Sequence, residues 1–174
     1  MNQEIEQASP RAVGIKYGIV SGLLGIIFFI VIDVTGNAGN QSVSWLGLLI
    51  TIAVLILAHR EFKGTGDGHM EYKEGVGIGF WVGLIGSVIS GIFTFIYVTT
   101  INTEYVTFLQ DQQRMELEKQ NMSDAQIDQA MEIASIFVSP GALLGFTLFF
   151  GILFTVILAL IISAITKNSR PELI

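Results

Sequence analysis

The sequence predicts an all-α membrane protein with four transmembrane helices and an extracytoplasmic amphipathic helical insertion between the third and fourth. Three observations carry this reading. Several apolar runs approach the roughly 20 residues needed to cross a bilayer. Charged residues make up 14% of the chain, where a soluble domain carries about 25%. Within the apolar runs, small residues recur at every fourth place. Residues 1–174 form one integral membrane domain, with spans at about 12–32, 43–58, 75–99 and 141–166 and the insertion at 103–138.

The chain opens with a polar tail ending in Ser9-Pro10-Arg11. The first span, Ala12 to Ile32, is longer than the 7–15 apolar residues of a signal core, so it is expected to be retained. Lys16 lies one turn inside it, where its stem can snorkel toward the headgroups. Asp33 to Ser42 is a short polar turn without Lys or Arg. Val43 to Ala58 makes a short second span, with Trp45 as an interface anchor. Residues His59 to Glu74 read as a mobile, charged connector.

The third span, Gly75 to Thr99, organises the rest. Gly75, Gly79, Gly83, Ser87 and Gly91 are each one i+4 step apart, and Gly14, Gly18 and Gly22 repeat that spacing in the first span. In water each such glycine costs a helix roughly 1 kcal/mol relative to alanine. In a bilayer the same positions let two backbones approach closely, so both rows are expected to be helix-packing edges. Residues 14–25 also match 75–86 without a gap. Either a duplication into two parallel two-helix units or the high glycine content of membrane helices accounts for the match.

Residues 103–138 carry seven acidic side chains against Arg114 and Lys119. Ser123 and Gln126 have capping-box spacing, which starts a helix at Asp124. Ile127, Ala130, Met131, Ala134, Phe137 and Val138 then share one face. Asp124, Asp128 and Glu132 run beside it as a row of like charges. Ile127, Met131 and Phe137 with those three acids form the candidate partner surface, expected as a helical hairpin folded over the outer end of the bundle. Ser139 and Pro140 cap and open the last span, which runs from Gly141 to Thr166.

With four spans, the N-terminus, the 59–74 connector and the C-terminus share one side. Arg11, Lys16, Arg60, Lys63, Lys73, Lys167 and Arg170, seven of the nine positive residues, lie there. The positive-inside rule then makes both termini cytoplasmic, in a cell (inner) membrane.

Chemistry is sparse. Cysteine is absent, which excludes disulfides, thiolate metal sites and cysteine nucleophiles. A net charge of −6 argues against nucleic acid, which selects a basic face. His59, Asp67, His69, Glu71 and Glu74 cluster in the connector without HExxH spacing, and Gly64 to Gly68 lacks the Gly-Lys-Ser/Thr of a P-loop. No metal, cofactor or catalytic residue is expected. No ionisable residue stands near the middle of a span, where coupled carriers place them. Asp33 is expected to be hydrated at the outer interface. Ser87, Ser90 and Thr94 are the nearest approach to a polar lining, and interhelical hydrogen bonding accounts for them.

The connector through Gly68-His69-Met70-Glu71-Tyr72, the insertion opening at Asn102-Thr103-Glu104-Tyr105 and the closing Ile161-Ile162-Ser163-Ala164-Ile165 resemble the family known as domain of unknown function 4199. These are small bacterial four-span membrane proteins. The resemblance covers about residues 11–166 and implies a cell-membrane location, with no activity or ligand to carry over. The expected function is non-enzymatic: association in the bilayer as a homo-oligomer or as an accessory subunit of a cell-envelope complex. The alternative is a small passive channel or transporter with a Ser/Thr-lined path.

Overall fold

A computed structural model describes residues 9–38, 40–120 and 122–170; residues 1–8 of the polar tail lie outside them. Six α-helices follow in order: α1 (Pro10–Val34), α2 (Gln41–Thr65), α3 (Tyr72–Ile96), α4 (Tyr105–Lys119), α5 (Asp124–Phe137) and α6 (Pro140–Thr166). A π-helical turn, Tyr97–Ile101, extends α3. Helices α1, α2, α3 and α6 are long and apolar enough to cross a membrane. Helix α3 is central. It packs side by side with the parallel α1 and with the antiparallel α6, while α2 leans mainly on α1 and touches α3 and α6 more sparsely.

The second span differs most from its expected bounds. Helix α2 does not stop at Ala58 but runs on to Thr65, so the first half of the connector is helical. Its cause is a face that continues past the hydropathic run. Leu55, Ala58 and His59 are fully buried and Phe62 nearly so, at i, i+3, i+4 and i+7. The remainder of the connector is also anchored. Gly68 turns the chain at φ 83°, and buried Met70 exchanges two 3.0 Å backbone hydrogen bonds with Asn168 beyond α6. Glu74 then accepts a hydrogen bond from the Glu71 amide at 2.7 Å, closing the capping box that starts α3.

The apolar core lies at the end of the bundle that holds the start of α1, the connector and the end of α6. Val54, Leu55, Phe62, Met70, Ile78, Val82 and Ala159 meet there. Ion pairs rim the same end: Lys16 to Glu61 at 2.8 Å and Arg170 to Asp67 at 2.7 Å.

The insertion is a hairpin of α4 and α5. Ser123 caps α5, its amide donating to Gln126 Oε1 at 3.0 Å. The apolar stripe, however, is divided. Ile127 and Ala134 are buried as α5 packs along α4, and Arg114 reaches Asp128 at 2.7 Å across the pair. Phe137 is 52% exposed. The hairpin does not lie across the span ends. It rests at its two feet, where Tyr105 packs on Phe29 with ring centroids 5.3 Å apart and Phe137 stacks on Phe146 at 5.8 Å. The shortest route to burial for Ile127 is its neighbour α4, which a face-by-face reading of α5 alone cannot reveal.

Candidate functional site

The two glycine rows face different neighbours. A methyl group placed on Gly14, Gly18 or Gly22 of α1 would stand 2.5–2.7 Å from the Cβ of Trp81, Ile85 or Ile89 on α3. On α3, Gly75 faces Ser163, Gly79 faces Ala159, Gly83 faces Thr155 and Gly91 faces Leu144, all on α6. Ser87 fills the space left by Gly151 of α6. Close backbone approach is therefore used within the chain, on two sides of α3. The matching segments 14–25 and 75–86 do not pack equivalently, since the α1 row faces α3 whereas the α3 row faces α6.

Small residues have a second consequence in the half of the bundle away from the termini. All four spans there surround a chamber of about 290 Å³. Its wall includes Ser21 and Gly25 of α1, Gly47 and Thr51 of α2, Gly86, Ser87 and Ser90 of α3, and Thr147, Gly151 and Thr155 of α6. The chamber opens sideways. A crevice of about 570 Å³ between α2 and α6 shares Gly47, Thr51, Thr147, Gly151 and Thr155 with it. Trp45, Phe146, Phe150 and Phe154 form the lip. The three phenylalanine rings follow one another along α6, tilted by 30° with centroids 5.8 and 6.1 Å apart, and Trp45 is 63% exposed.

No ionisable side chain lines the chamber or the crevice. Several hydroxyls in the wall are already committed to backbone carbonyls: Thr51 donates to Gly47 at 3.0 Å, Thr147 to Leu143 at 2.8 Å and Ser90 to Gly22 across the helix pair at 3.3 Å. Toward the termini the chamber ends on Leu55, Ile78, Val82 and Ala159, each fully buried. The packing is thus closed on the terminal side, whereas toward the hairpin an adjoining cavity shares Gly25, Ser90 and Thr147 with the chamber. Ser87 and Ser90 line the chamber, and Thr94 lines the adjoining cavity with Tyr105.

His59 is the residue that sequence reasoning misplaced. It sits inside the bundle rather than in a loop. Its Nε2 donates to the Gly75 carbonyl at 3.1 Å, and Nδ1 lies 2.9 Å from the Thr166 hydroxyl, joining α2 to α3 and α6. The signal that could have found it is its i+4 relation to Leu55. The other polar residues of the connector are engaged elsewhere. Asp67 and Glu74 hold Arg170, and the His69 ring faces the Asp67 carbonyl at 3.0 Å. The guanidinium of Arg170 holds the Asp67 carboxyl below its usual range. Among the described residues, no three His, Asp or Glu side chains group to hold a metal ion.

Of the proposed partner surface, Asp124, Asp128 and Glu132 are exposed and Met131 is half-buried. Asp33 is not simply hydrated: its Oδ2 accepts from the Tyr97 hydroxyl at 2.6 Å and from Asn102 Nδ2 at 3.0 Å.

No curated protein and no solved structure matches the chain. The family described as Protein of unknown function (DUF4199) matches residues 16–168, and the chain belongs to that family.

Proposed function

We propose that this DUF4199 protein acts without catalysis, by association in the bilayer, and that the α2–α6 crevice receives a transmembrane helix of another chain. The unclosed crevice is the observation that carries the reading. A bundle whose terminal half is packed shut leaves its other half open between two helices, with Thr51, Thr147 and Thr155 lining the gap. Gly145 of α6 has open space around it. Small residues of this kind let a further helix approach closely, and the aromatic lip offers large contact area to a partner. The two glycine rows are occupied within the chain, which leaves this seam for association. In this reading the protein is a homo-oligomer or an accessory subunit in a cell membrane, with its termini and connector cytoplasmic.

A passive path lined by Ser87 and Ser90 is less well supported, because the chamber ends on the buried core. The test is photo-crosslinking in native membranes, with p-benzoylphenylalanine replacing Phe150 in the lip or Ile161 outside it. Position 150 is expected to give a discrete adduct and position 161 none. An adduct at twice the chain mass identifies a second copy, and any other mass a partner subunit. Equal, diffuse reaction at both positions would show that lipid alone meets the crevice, and the docking reading would fail.

A further inference from the structure

At the end of the bundle that carries the hairpin, a pocket of about 200 Å³ is lined by Asp33, Gly36, Asn102, Glu104, Tyr105 and Phe108. We propose that it binds an organic ammonium group, carried either by a small amine or by a lipid headgroup. The pocket is separate from the α2–α6 crevice, and the proposal does not depend on the docking reading.

The carboxylate of Asp33 is built into the fold. Asn102 N donates to the Tyr97 carbonyl at 2.9 Å, the i to i−5 bond of a π-helical turn. That bond folds Asn102 back over Tyr97, so both side chains reach the same Asp33 oxygen. π-helical turns recur at functional sites. Both donors are neutral, so they fix the carboxylate without compensating its charge. Among the described residues Asp33 has no ion pair. The two cations of the hairpin are engaged elsewhere, Arg114 with Asp128 and Glu118, Lys119 with Glu116.

The rest of the pocket favours one class of cation. Tyr105 and Phe108 supply aromatic walls, and Glu104 adds a second negative charge at the rim. Aromatic faces attract cations that shed water readily, quaternary ammonium above all. A metal ion would require a set of oxygen ligands, and here rings occupy much of the wall. Tyr105 also lines the cavity beneath, with Phe29, Ser90 and Thr94. Tyr105 therefore borders both the acidic pocket and this more apolar cavity, toward which the chains of a bound lipid would extend.

The experiment uses purified protein in an uncharged maltoside detergent. Choline chloride is titrated by calorimetry against sodium chloride at equal ionic strength. In parallel, native mass spectrometry compares retention of phosphatidylcholine and phosphatidylglycerol. Saturable choline binding identifies a free amine as sufficient; selective retention of phosphatidylcholine without choline binding identifies a lipid headgroup. In either case Asp33→Asn and Tyr105→Leu should weaken binding by about tenfold or more, while Tyr105→Phe keeps the ring face and stays within about threefold of the parent. If Asp33→Asn fails to fold, the contrast between the two Tyr105 variants decides. No ammonium selectivity in either arm, or equal binding by Tyr105→Leu and Tyr105→Phe, overturns the proposal.

Discussion

Gly79 of α3 and Ala159 of α6 touch so closely that a methyl group on Gly79 would overlap the alanine methyl. Around Gly77, two residues earlier on the same helix, nothing lies within 4 Å of the equivalent position. The pair separates a packing effect from a propensity effect. Gly79→Ala should lower unfolding stability in detergent by about 1–3 kcal/mol, the usual cost of overpacking. Gly77→Ala should leave stability unchanged or raise it by up to about 1 kcal/mol. Equal effects of the two substitutions would remove the α3–α6 contact from the list of what holds the bundle together.

His59 supports the terminal end from within. His59→Ala removes a fully buried side chain and its hydrogen bonds to the Gly75 carbonyl and the Thr166 hydroxyl, which keeps its bond to the Ile162 carbonyl. The combined loss of volume and hydrogen bonding should cost about 2 kcal/mol or more. His69→Ala, in the exposed part of the connector, should fall within about 0.5 kcal/mol of the parent. Thermal unfolding of both variants checks the contrast, and a tolerant position 59 would show that the three-helix junction does not depend on the imidazole.

The spans were legible because hydropathy over some 20 residues is a local property, and the bilayer admits few alternatives to a helix. What lay beyond was nonlocal. The extension of α2 rests on His59 and Phe62 meeting α3 and α6, and a charged stretch such as His59-Arg60-Glu61 hides that face. The i+4 rows announced close packing but carried no address, so α1 could not be told to face α3 while α3 faces α6. The chamber is less legible still. Ser21, Thr51, Ser87 and Thr155 come from four different helices, and only their convergence makes a space. The π-helical turn at Tyr97–Ile101 has no composition cue, yet it is what carries Asn102 to Asp33.

The segment after α6 is held by charge. Arg170 lies 2.7 Å from Asp67 and 3.3 Å from Glu74, and its guanidinium, helped by the His69 amide, depresses the Asp67 carboxyl. A depressed carboxyl contributes stability that is complete above its unfolded value, near pH 4, and vanishes as the pH falls through the folded value. A dye attached through Ser169→Cys should therefore keep high fluorescence anisotropy at neutral pH and lose it below about pH 4. Adding Arg170→Gln should lower the anisotropy already at neutral pH. A flat profile across that range in the parent protein would mean that the Met70–Asn168 backbone pairing and the neighbouring hydrogen bonds to Gly68 and Glu71 hold the segment without the ion pairs.

Orientation rests on the clustering of Lys and Arg around one end. The cysteine-free sequence allows single thiols to report it. An impermeant maleimide applied to intact cells should label Gln120→Cys, in the turn between α4 and α5. It should miss Gly64→Cys and Ser169→Cys until the membrane is opened. Both Gly64 and Ser169 are exposed, so a missing signal reflects the barrier rather than burial. Labelling of position 64 in intact cells would reverse the topology.

The hairpin offers the sharpest division between what folds the protein and what it presents. Ile127 is 3% exposed and Ile136, nine residues on along the same helix, is 67% exposed. Ile127 faces α4, and the Arg114–Asp128 pair crosses the same seam, although a surface ion pair of that kind contributes at most about 1 kcal/mol. Ile127→Ala should therefore loosen α5 from α4, with the 2–5 kcal/mol that truncating a buried isoleucine typically costs. Because the hairpin meets the bundle only at its feet, that loss should stay local. Amide exchange should accelerate through 124–134 while α3 and α6 keep their protection, the behaviour of a separate cooperative unit. Ile136→Ala should leave the exchange pattern unchanged, since its side chain is largely exposed. Acceleration spreading into α3 after Ile127→Ala would mean that hairpin and spans unfold together, and the insertion would then be part of the bundle rather than a module standing on it.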